Sequence, residues 1–368
     1  MKYPQDVPVL TDGVVTLRAH READVPAIVE MCADPEMQRW TSVPLDNSLE
    51  DSRRFATETM KTAWEQMNHR GWAIEANDDG GMARFAGNID IRDSPVATVG
   101  YALHPWARGR GVITKALDLA GNWAFTEGGV EIIQWASHVG NVPSLRAAWA
   151  AGFTLNGTQP GILYERGQVI DAWTAYRRFG EKPGPKTTWL DSPVVEGANV
   201  RLRPFRMDDV PRIVETCTDE TSQYWLAELP KPYTETTARD YLHTSTWLAA
   251  TGNKATWAVA DRSTDQLVAN IAIMGLDNDP TSGEVGYWAH PEARGKGLMT
   301  EATGLLVEHA FGAMNLRRLS LMAATANTAS NKVALKNGFV VVGTETRSEP
   351  LGDGTFADMN VYELFPPA

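Results

Sequence analysis

The amino-acid sequence says nearly the same thing twice. "GYALHPWARGRGVITKAL" (Gly100 to Leu117) returns as "GYWAHPEARGKGLMTEAT" (Gly286 to Thr303), 186 positions later. Asn141, Ser144 and Phe153 reappear at the same step as Asn327, Ser330 and Phe339. Arg18 and Cys32 reappear one position earlier, as Arg203 and Cys217. A near-constant step over most of a half-chain requires two copies of one domain. Between them runs "GEKPGPKTTWLDSP" (Gly180 to Pro193), whose prolines and glycines favour an extended connector. We therefore expect an N-terminal domain over residues 1–180, a linker over 181–193 and a C-terminal domain over 194–368.

The 368 residues give each copy enough chain for its own core, and a hydrophobic content of 43% marks a globular protein. No apolar run approaches membrane-spanning length, and "MKYPQDVPVL" lacks a signal-peptide core, so a cytoplasmic protein is expected. Cys32 and Cys217 fall in equivalent first helices, where they suit small buried side chains rather than a disulfide. A formal net charge of −12 argues against a nucleic-acid partner. It suits a cationic substrate such as an amine, though it serves solubility equally well.

Each copy opens on a strand of period-two alternation, "VVTLRAH" or "NVRLRPF", followed by a helix, "READVPAIVEMC" or "RMDDVPRIVETC". A proline-containing loop then holds Trp40 in one copy and Trp225 in the other, before a second helix at about 49–67 or 236–250. Three strands follow in each copy, separated by Gly and Asp clusters as in hairpins. Helices are expected at about 112–125 and 298–311, each leading to a strand, a short helix and a final strand pair. The fold class is α/β (α+β): two tandem domains, each a mixed, mostly antiparallel twisted sheet flanked by helices.

Arg108-Gly109-Arg110-Gly111 and Arg294-Gly295-Lys296-Gly297 each lie between a predicted strand and a predicted helix. Glycines let the chain turn with its N–H groups inward, and a helix N-terminus adds orphan donors and a partial positive charge. Such a loop binds a phosphate or pyrophosphate. No Gly-Lys-Ser/Thr triplet follows, and the Gly-x-Gly-x-x-Gly fingerprint is absent here, which excludes a Walker loop and a Rossmann turn.

With these loops the sequence resembles the GCN5-related N-acetyltransferase (GNAT) superfamily, and within it the RimJ/RimL-like branch, in a tandem two-domain form. The family loop reads Arg/Gln-x-x-Gly-x-Gly/Ala. Arg108 and Gly111 match it, as do Arg294 and Gly297, while its last small position is Ile113 or Met299 here. The "GYW…HPE" run before the loop and the "N-x-x-S…GF" run after it are similar to that branch. The resemblance implies acetyl-CoA as donor, with its pyrophosphate on the loop. Its pantetheine would pair as an extra strand along Tyr101–Leu103 and Tyr287–Ala289. It also implies Ser144 and Ser330 as acids beside the sulfur, Asn141 and Asn327 as donors to the cofactor, and Trp40 and Trp225 as walls of the acceptor pocket. Asn-x-x-Ser is equally a helix-start pattern. The family's frequent Tyr four residues before the "GF" glycine is Ala148 or Ala334 here.

Acetyl transfer to an amine needs a base for the ammonium, an N–H donor for the oxyanion and an acid for the thiolate. Glu284 begins the second copy's strand into the loop and is the natural base; Thr98 stands there in the first, with Asp90 and Asp93 as substitutes. His104 and His290 each precede a proline and suit a turn, and no grouping has metal-ligand spacing. The expected function is transfer of an acetyl (acyl) group from acetyl-CoA to a protein N-terminus, a lysine or a small-molecule amine, the C-terminal domain being the stronger catalyst. A non-catalytic acyl-CoA sensor and an antibiotic-modifying acetyltransferase stay open, as does a monomer with an internal pseudo-dimer or a homodimer. No nucleic acid or membrane is expected as a partner.

Overall fold

A computed structural model describes residues 6–65, 69–93 and 95–367. The chain divides into two compact units, Met1–Lys186 and Thr187–Ala368. Residues 179–194 form neither helix nor strand.

In the first unit the strands are β1 (Leu10–Thr11), β2 (Val15–Arg18), β3 (His69–Asn77), β4 (Ala83–Arg92), β5 (Val96–Leu103), β6 (Ile132–His138), β7 (Thr154–Glu165) and β8 (Gln168–Arg178). They form one sheet in the order β1-β2-β3-β4-β5-β6-β8-β7. Every neighbouring pair is antiparallel except β5 and β6. Those two run parallel because helix α5 (Val112–Thr126) lies between them in the chain, and a parallel pair needs such a crossover. Helices α1 (Val25–Ala33), α2 (Pro35–Trp40) and α3 (Leu49–Arg54) precede α4 (Met60–Glu65), whose Trp64 packs against Trp72 and against Trp123 of α5. Val25, Ile28 and Met31 of α1 bury one face of the sheet, at Ala73, Phe85 and Ala102. A π turn, Phe55–Thr59, joins α3 to α4, so the expected second helix is interrupted where i→i+5 bonds admit one extra residue. Helix α6 (Val142–Ala150) follows β6 and packs with α5.

The second unit repeats this plan. Its strands are β9 (Val195–Glu196), β10 (Val200–Arg203), β11 (Ala255–Asp261), β12 (Leu267–Met274), β13 (Ser282–Ala289), β14 (Arg318–Ala324), β15 (Val340–Pro350) and β16 (Phe356–Leu364). Its helices are α7 (Val210–Thr218), α8 (Glu220–Trp225), α9 (Glu235–Ala250), α10 (Leu298–Gly312) and α11 (Thr328–Lys336). The β13–β14 pair is again the parallel one. Trp257, Val259, Ile271 and Ile273 pack against Leu306 and Ala310 of α10, while Ala258 and Trp288 pack with Ile213 and Leu242 of α7 and α9. Alternate residues of each strand therefore serve opposite helical layers.

Both units bury an ion pair at the turn from first strand to first helix. Arg18 donates Nη1 and Nη2 to the two oxygens of Asp24 at 2.9 Å each, and Arg203 makes the same fork to Asp209 at 2.8 Å. Their Nε groups reach Glu75 and Asp265. This bidentate geometry repays the burial of charge that a looser pair would not.

Trp40 and Trp225 lie in helices rather than in the expected proline-containing loops. Asp34 accepts from the Met37 N–H, and Asp219 from the Ser222 N–H, so each short helix is N-capped and ends on its tryptophan. An aspartate two residues beyond each buried cysteine carried that signal.

Candidate functional site

Strands β5 and β6 pair only over Val96–Thr98 and Ile132–Gln134, and β13 and β14 only over Ser282–Glu284 and Arg318–Ser320. Beyond those residues the two strands part, leaving main-chain groups of Val99–Leu103 and Val285–Ala289 facing the gap on that side. An extended ligand can add there as a strand. Residues on the strand before the gap point alternately to two helical layers. Tyr287 and Ala289 pack on the α10 side, and Trp288 on the α7 side. Glu284 shares the face of Trp288, and Thr98 shares that of Ala102.

Both loops past the gap adopt the conformation an anion site needs. Gly109 and Gly111 have φ of 73°, and Gly295 and Gly297 have φ of 73° and 79°. Gly111 and Gly297 are the N-caps of α5 and α10, so the first-turn amides of each helix open onto the loop. The leading arginines are committed elsewhere. Arg108 Nη2 donates to Asp34 Oδ2 at 2.6 Å, and Arg294 Nη2 donates to Asp219 Oδ2 at 2.7 Å and to Ser222 Oγ at 2.8 Å. They brace the caps of α2 and α8, and their contribution to an anion site is main-chain and long-range. Burial pushes the Asp34 and Asp219 carboxyls up, but the arginine hydrogen bonds prevail and hold both below the usual range. Arg110 pairs with Asp79 at 3.1 Å. Beside Lys296 opens a cavity of about 510 Å³, lined also by Arg212 and Arg262.

Each serine meets a strand tyrosine across the gap. Tyr101 Oη lies 2.8 Å from Ser144 Oγ, and Tyr287 Oη lies 2.9 Å from Ser330 Oγ. Burial pushes both phenols up to about 12, so they stay protonated. In the first unit Trp135 Nε1 donates to Tyr101 Oη at 2.8 Å. An indole can only donate, so Tyr101 Oη accepts from Trp135 while its own proton stays available to the Ser144 hydroxyl or to the Ser144 carbonyl at 3.3 Å. Leu321 occupies the corresponding position in the second unit. Asn141 and Asn327 accept from the Ser144 and Ser330 N–H groups at 3.2 and 3.1 Å, as N-caps of α6 and α11. The tyrosine recurs in register in both Gly-Tyr pairs, a signal that its hydroxyl matters as well as its backbone.

Glu284 is the last β13 residue paired before the strands part. Burial, then the nearby carboxylates Glu349 and Glu345, pushes its carboxyl up. Asp90 lies on the matching face of the first unit but is tied to Arg92 Nε, and Asp93 sits in the turn after β4. The long hairpins overhang this face. Arg166, at the β7–β8 tip, donates to the Gln38, Thr41 and Val43 carbonyls at 2.7–2.8 Å, and the Gly352 N–H donates to the Tyr224 carbonyl at 2.8 Å. Each tip thus ties to the helix end that carries Trp40 or Trp225. His104 and His290 are buried at the turns, the latter 3.0 Å from Glu215. Among the described residues no His/Cys/Asp/Glu grouping could hold a metal, and no helix is long and apolar enough to cross a membrane.

The acetyltransferase (GNAT) domain model matches residues 15–154 and again 199–340. The chain is 32% identical over 98 residues to the ribosomal-protein-serine acetyltransferase of Escherichia coli (strain K12), covering 27% of this chain and 54% of that protein. The match thus spans about half of that relative's length. It is 28% identical over 176 residues to the uncharacterized N-acetyltransferase YoaA of Bacillus subtilis (strain 168), covering 48% of this chain and 98% of YoaA. Among solved structures, the RimL ribosomal L7/L12 alpha-N-protein acetyltransferase in complex with coenzyme A is similar at a TM-score of 0.43 and 19% identity, covering 47% of this chain and 97% of that one.

Proposed function

We propose that this chain, which belongs to the acetyltransferase (GNAT) family in both of its halves, is a tandem N-acetyltransferase whose second unit is the stronger catalyst. Acetyl-CoA is the donor, and it supplies a thioester carbon to an amine nitrogen. The residues fit it: Gly109, Arg110 and Gly111, or Gly295, Lys296 and Gly297, would hold its diphosphate by main-chain amides, backed by Arg108 or Arg294 through the helix caps they brace. The free edges at Tyr101–Leu103 and Tyr287–Ala289 would pair with its pantetheine arm.

One observation carries the assignment of the second unit: Glu284, with its raised carboxyl, stands where β13 and β14 part, on the face opposite the Tyr287–Ser330 pair. A raised carboxyl is a better proton acceptor near neutrality than an ordinary one. Glu284 takes the ammonium proton, directly or through water. Ser330, held by Tyr287, delivers a proton on the sulfur side, with Asn327 fixing its helix; Ser144 and Asn141 stand likewise in the first unit. Trp40 and Trp225 wall the acceptor entrance beneath the hairpin tips.

The acceptor we infer is a primary amine on a slender group, either a peptide N-terminus or a small molecule. Three carboxylates, Glu284, Glu345 and Glu349, favour its cationic form, and the tied hairpin tips favour a narrow one. The name of the Escherichia coli relative, a ribosomal-protein-serine acetyltransferase, supports a protein acceptor. Glu284→Gln is expected to lower kcat by roughly 100-fold or more with acetyl-CoA affinity unchanged. Steady-state thiol release and calorimetric titration measure the two. Unaltered turnover refutes the role of Glu284.

A further inference from the structure

The first unit lacks the apex carboxylate, yet its acceptor face carries a second polar constellation. His138 ends β6, and its Nε2 lies 3.1 Å from Glu165 Oε2, at the end of β7. Both side chains are largely buried, at 14% and 18% exposure. Trp40 meets the imidazole edge to face, with centroids 6.0 Å apart and planes at 79°. The indole is itself held by Glu36, which accepts from its Nε1 at 2.8 Å. The second unit has nothing of the kind, since Ala324 and Leu351 stand at the corresponding positions.

The strand register places His138 where an acceptor would sit. Thr98 pairs with Gln134, so these two share a face, and Ala136 and His138 follow on it. Trp135 lies on the other face, where it donates to Tyr101. At roughly 3.3 Å per residue, Tyr101 stands three residues past the apex on one strand and His138 four past it on the other. The histidine is thus level with the Tyr101–Ser144 pair, on the opposite face of the gap.

We propose that His138, oriented by Glu165, is the general base of a second acetyl-transfer site in the first unit, acting on a primary amine that packs against Trp40. This rests on the reading of both strand gaps as acetyl-transfer sites. Glu165 accepts the Nε2 proton and leaves Nδ1 as the basic nitrogen. The acceptor ammonium gives one proton to Nδ1. The freed amine forms the C–N bond as the C–S bond breaks. Its surplus proton ends on the departing thiol by way of the Ser144 hydroxyl, while Glu165 balances the imidazolium.

The test uses the full chain carrying Glu284→Gln with G297P, so that the second unit has neither its base nor its cofactor loop. A panel of primary amines and short peptides is scanned for acetylated product and free thiol. Residual transfer above that of a chain with both loops disabled (G111P with G297P) is expected. Adding His138→Asn should lower that residual kcat roughly 100-fold with coenzyme A affinity at the first unit unchanged. Glu165→Gln should lower it less, about tenfold, and added imidazole should partly restore His138→Ala, which a merely structural role would not allow. No residual transfer in the chain carrying Glu284→Gln with G297P, or residual transfer indifferent to His138→Asn and His138→Gln, overturns the proposal. Failure of the wild-type chain to bind coenzyme A or acetylate any amine overturns the broader reading instead.

Discussion

The loop glycines allow the sharpest test of how the diphosphate would be held. Gly111 sits at φ 73°, ψ 3°, and Gly297 at φ 79°, ψ −2°. A Cβ built on either meets nothing within 4 Å, so alanine breaks no packing and its whole penalty is torsional. An L-residue in this left-handed region costs roughly 1–2 kcal/mol. An exposed loop with room around it relaxes to negative φ, and that penalty then falls on binding, which must restore the nest. At about 1.4 kcal/mol per tenfold, Gly111→Ala should weaken coenzyme A about 5- to 30-fold in the first unit and leave the second untouched. Gly297→Ala should do the reverse. Gly111→Asn is the control, because asparagine tolerates this region while adding more bulk than alanine. Calorimetric titration of the full chain resolves two sites in the wild type and one weakened site in each alanine variant, with asparagine in between. Equal affinity in all variants would remove the nest from the binding argument. An asparagine variant weaker than alanine would replace torsion by volume as the cause.

Three further outcomes follow from the packing. Asp24→Ala or Asp209→Ala leaves a buried guanidinium with Glu75 or Asp265 as its one carboxylate and should destabilise its unit by up to roughly 3–5 kcal/mol, read as a lowered denaturant midpoint; a loss under about 1 kcal/mol contradicts the buried fork. Gly87→Ala would set its Cβ 2.1 Å from the Ala102 carbonyl, forcing β4 off β5, and should destabilise the first unit by about 1–3 kcal/mol; Ala269, at the same register, shows that the second unit accepts a methyl there. The Glu284 carboxyl is raised in the fold, so the fold favours its protonated form. That contribution is present below the unfolded value, about 4.3, and is lost as pH rises through the folded value. Glu284→Gln should therefore raise the melting temperature of the second unit at pH 8, with the gap closing near pH 4. A gap that widens on acidification reverses the sign and rejects the cause.

How far the sequence could be read depended on whether a feature was local. The duplicated step, the Gly-rich turns and the period-two strands are consecutive in the chain, so the loop at Gly109–Gly111 and the helix after it could be placed within a residue or so. The short helices ending on Trp40 and Trp225 were missed because prolines nearby suggested a loop, although Asp34 and Asp219 were capping residues in plain view. The π turn at Phe55–Thr59 has no composition signal. The Tyr101–Ser144 and His138–Glu165 pairs join residues 43 and 27 positions apart. They meet only because β5 and β6 part after three pairings and because the β7–β8 hairpin folds back, and both are consequences of register rather than of pattern.

That distinction separates what the two units share from what they do not. Both keep the left-handed loop, the Tyr–Ser contact, the asparagine cap and the buried Arg–Asp fork. Most of this belongs to the backbone or to the α5 and α10 side of the sheet, where one donor imposes one geometry. The opposite face differs at each chemically active position. Glu284 stands against Thr98, Glu345 against Gln159, Glu349 against Leu163, and Ala324 and Leu351 against His138 and Glu165. Three carboxylates stand on this face in the second unit, and an imidazole with one carboxylate in the first. A cation is attracted to the three carboxylates over roughly a Debye length, about 10 Å at 0.1 M salt, while the other face selects by stacking and shape. Two sites with one donor and such different faces are physically suited to different amines. If both gaps are transfer sites, as proposed, the divergence lies in the acceptor, and substrates are to be sought for each unit separately.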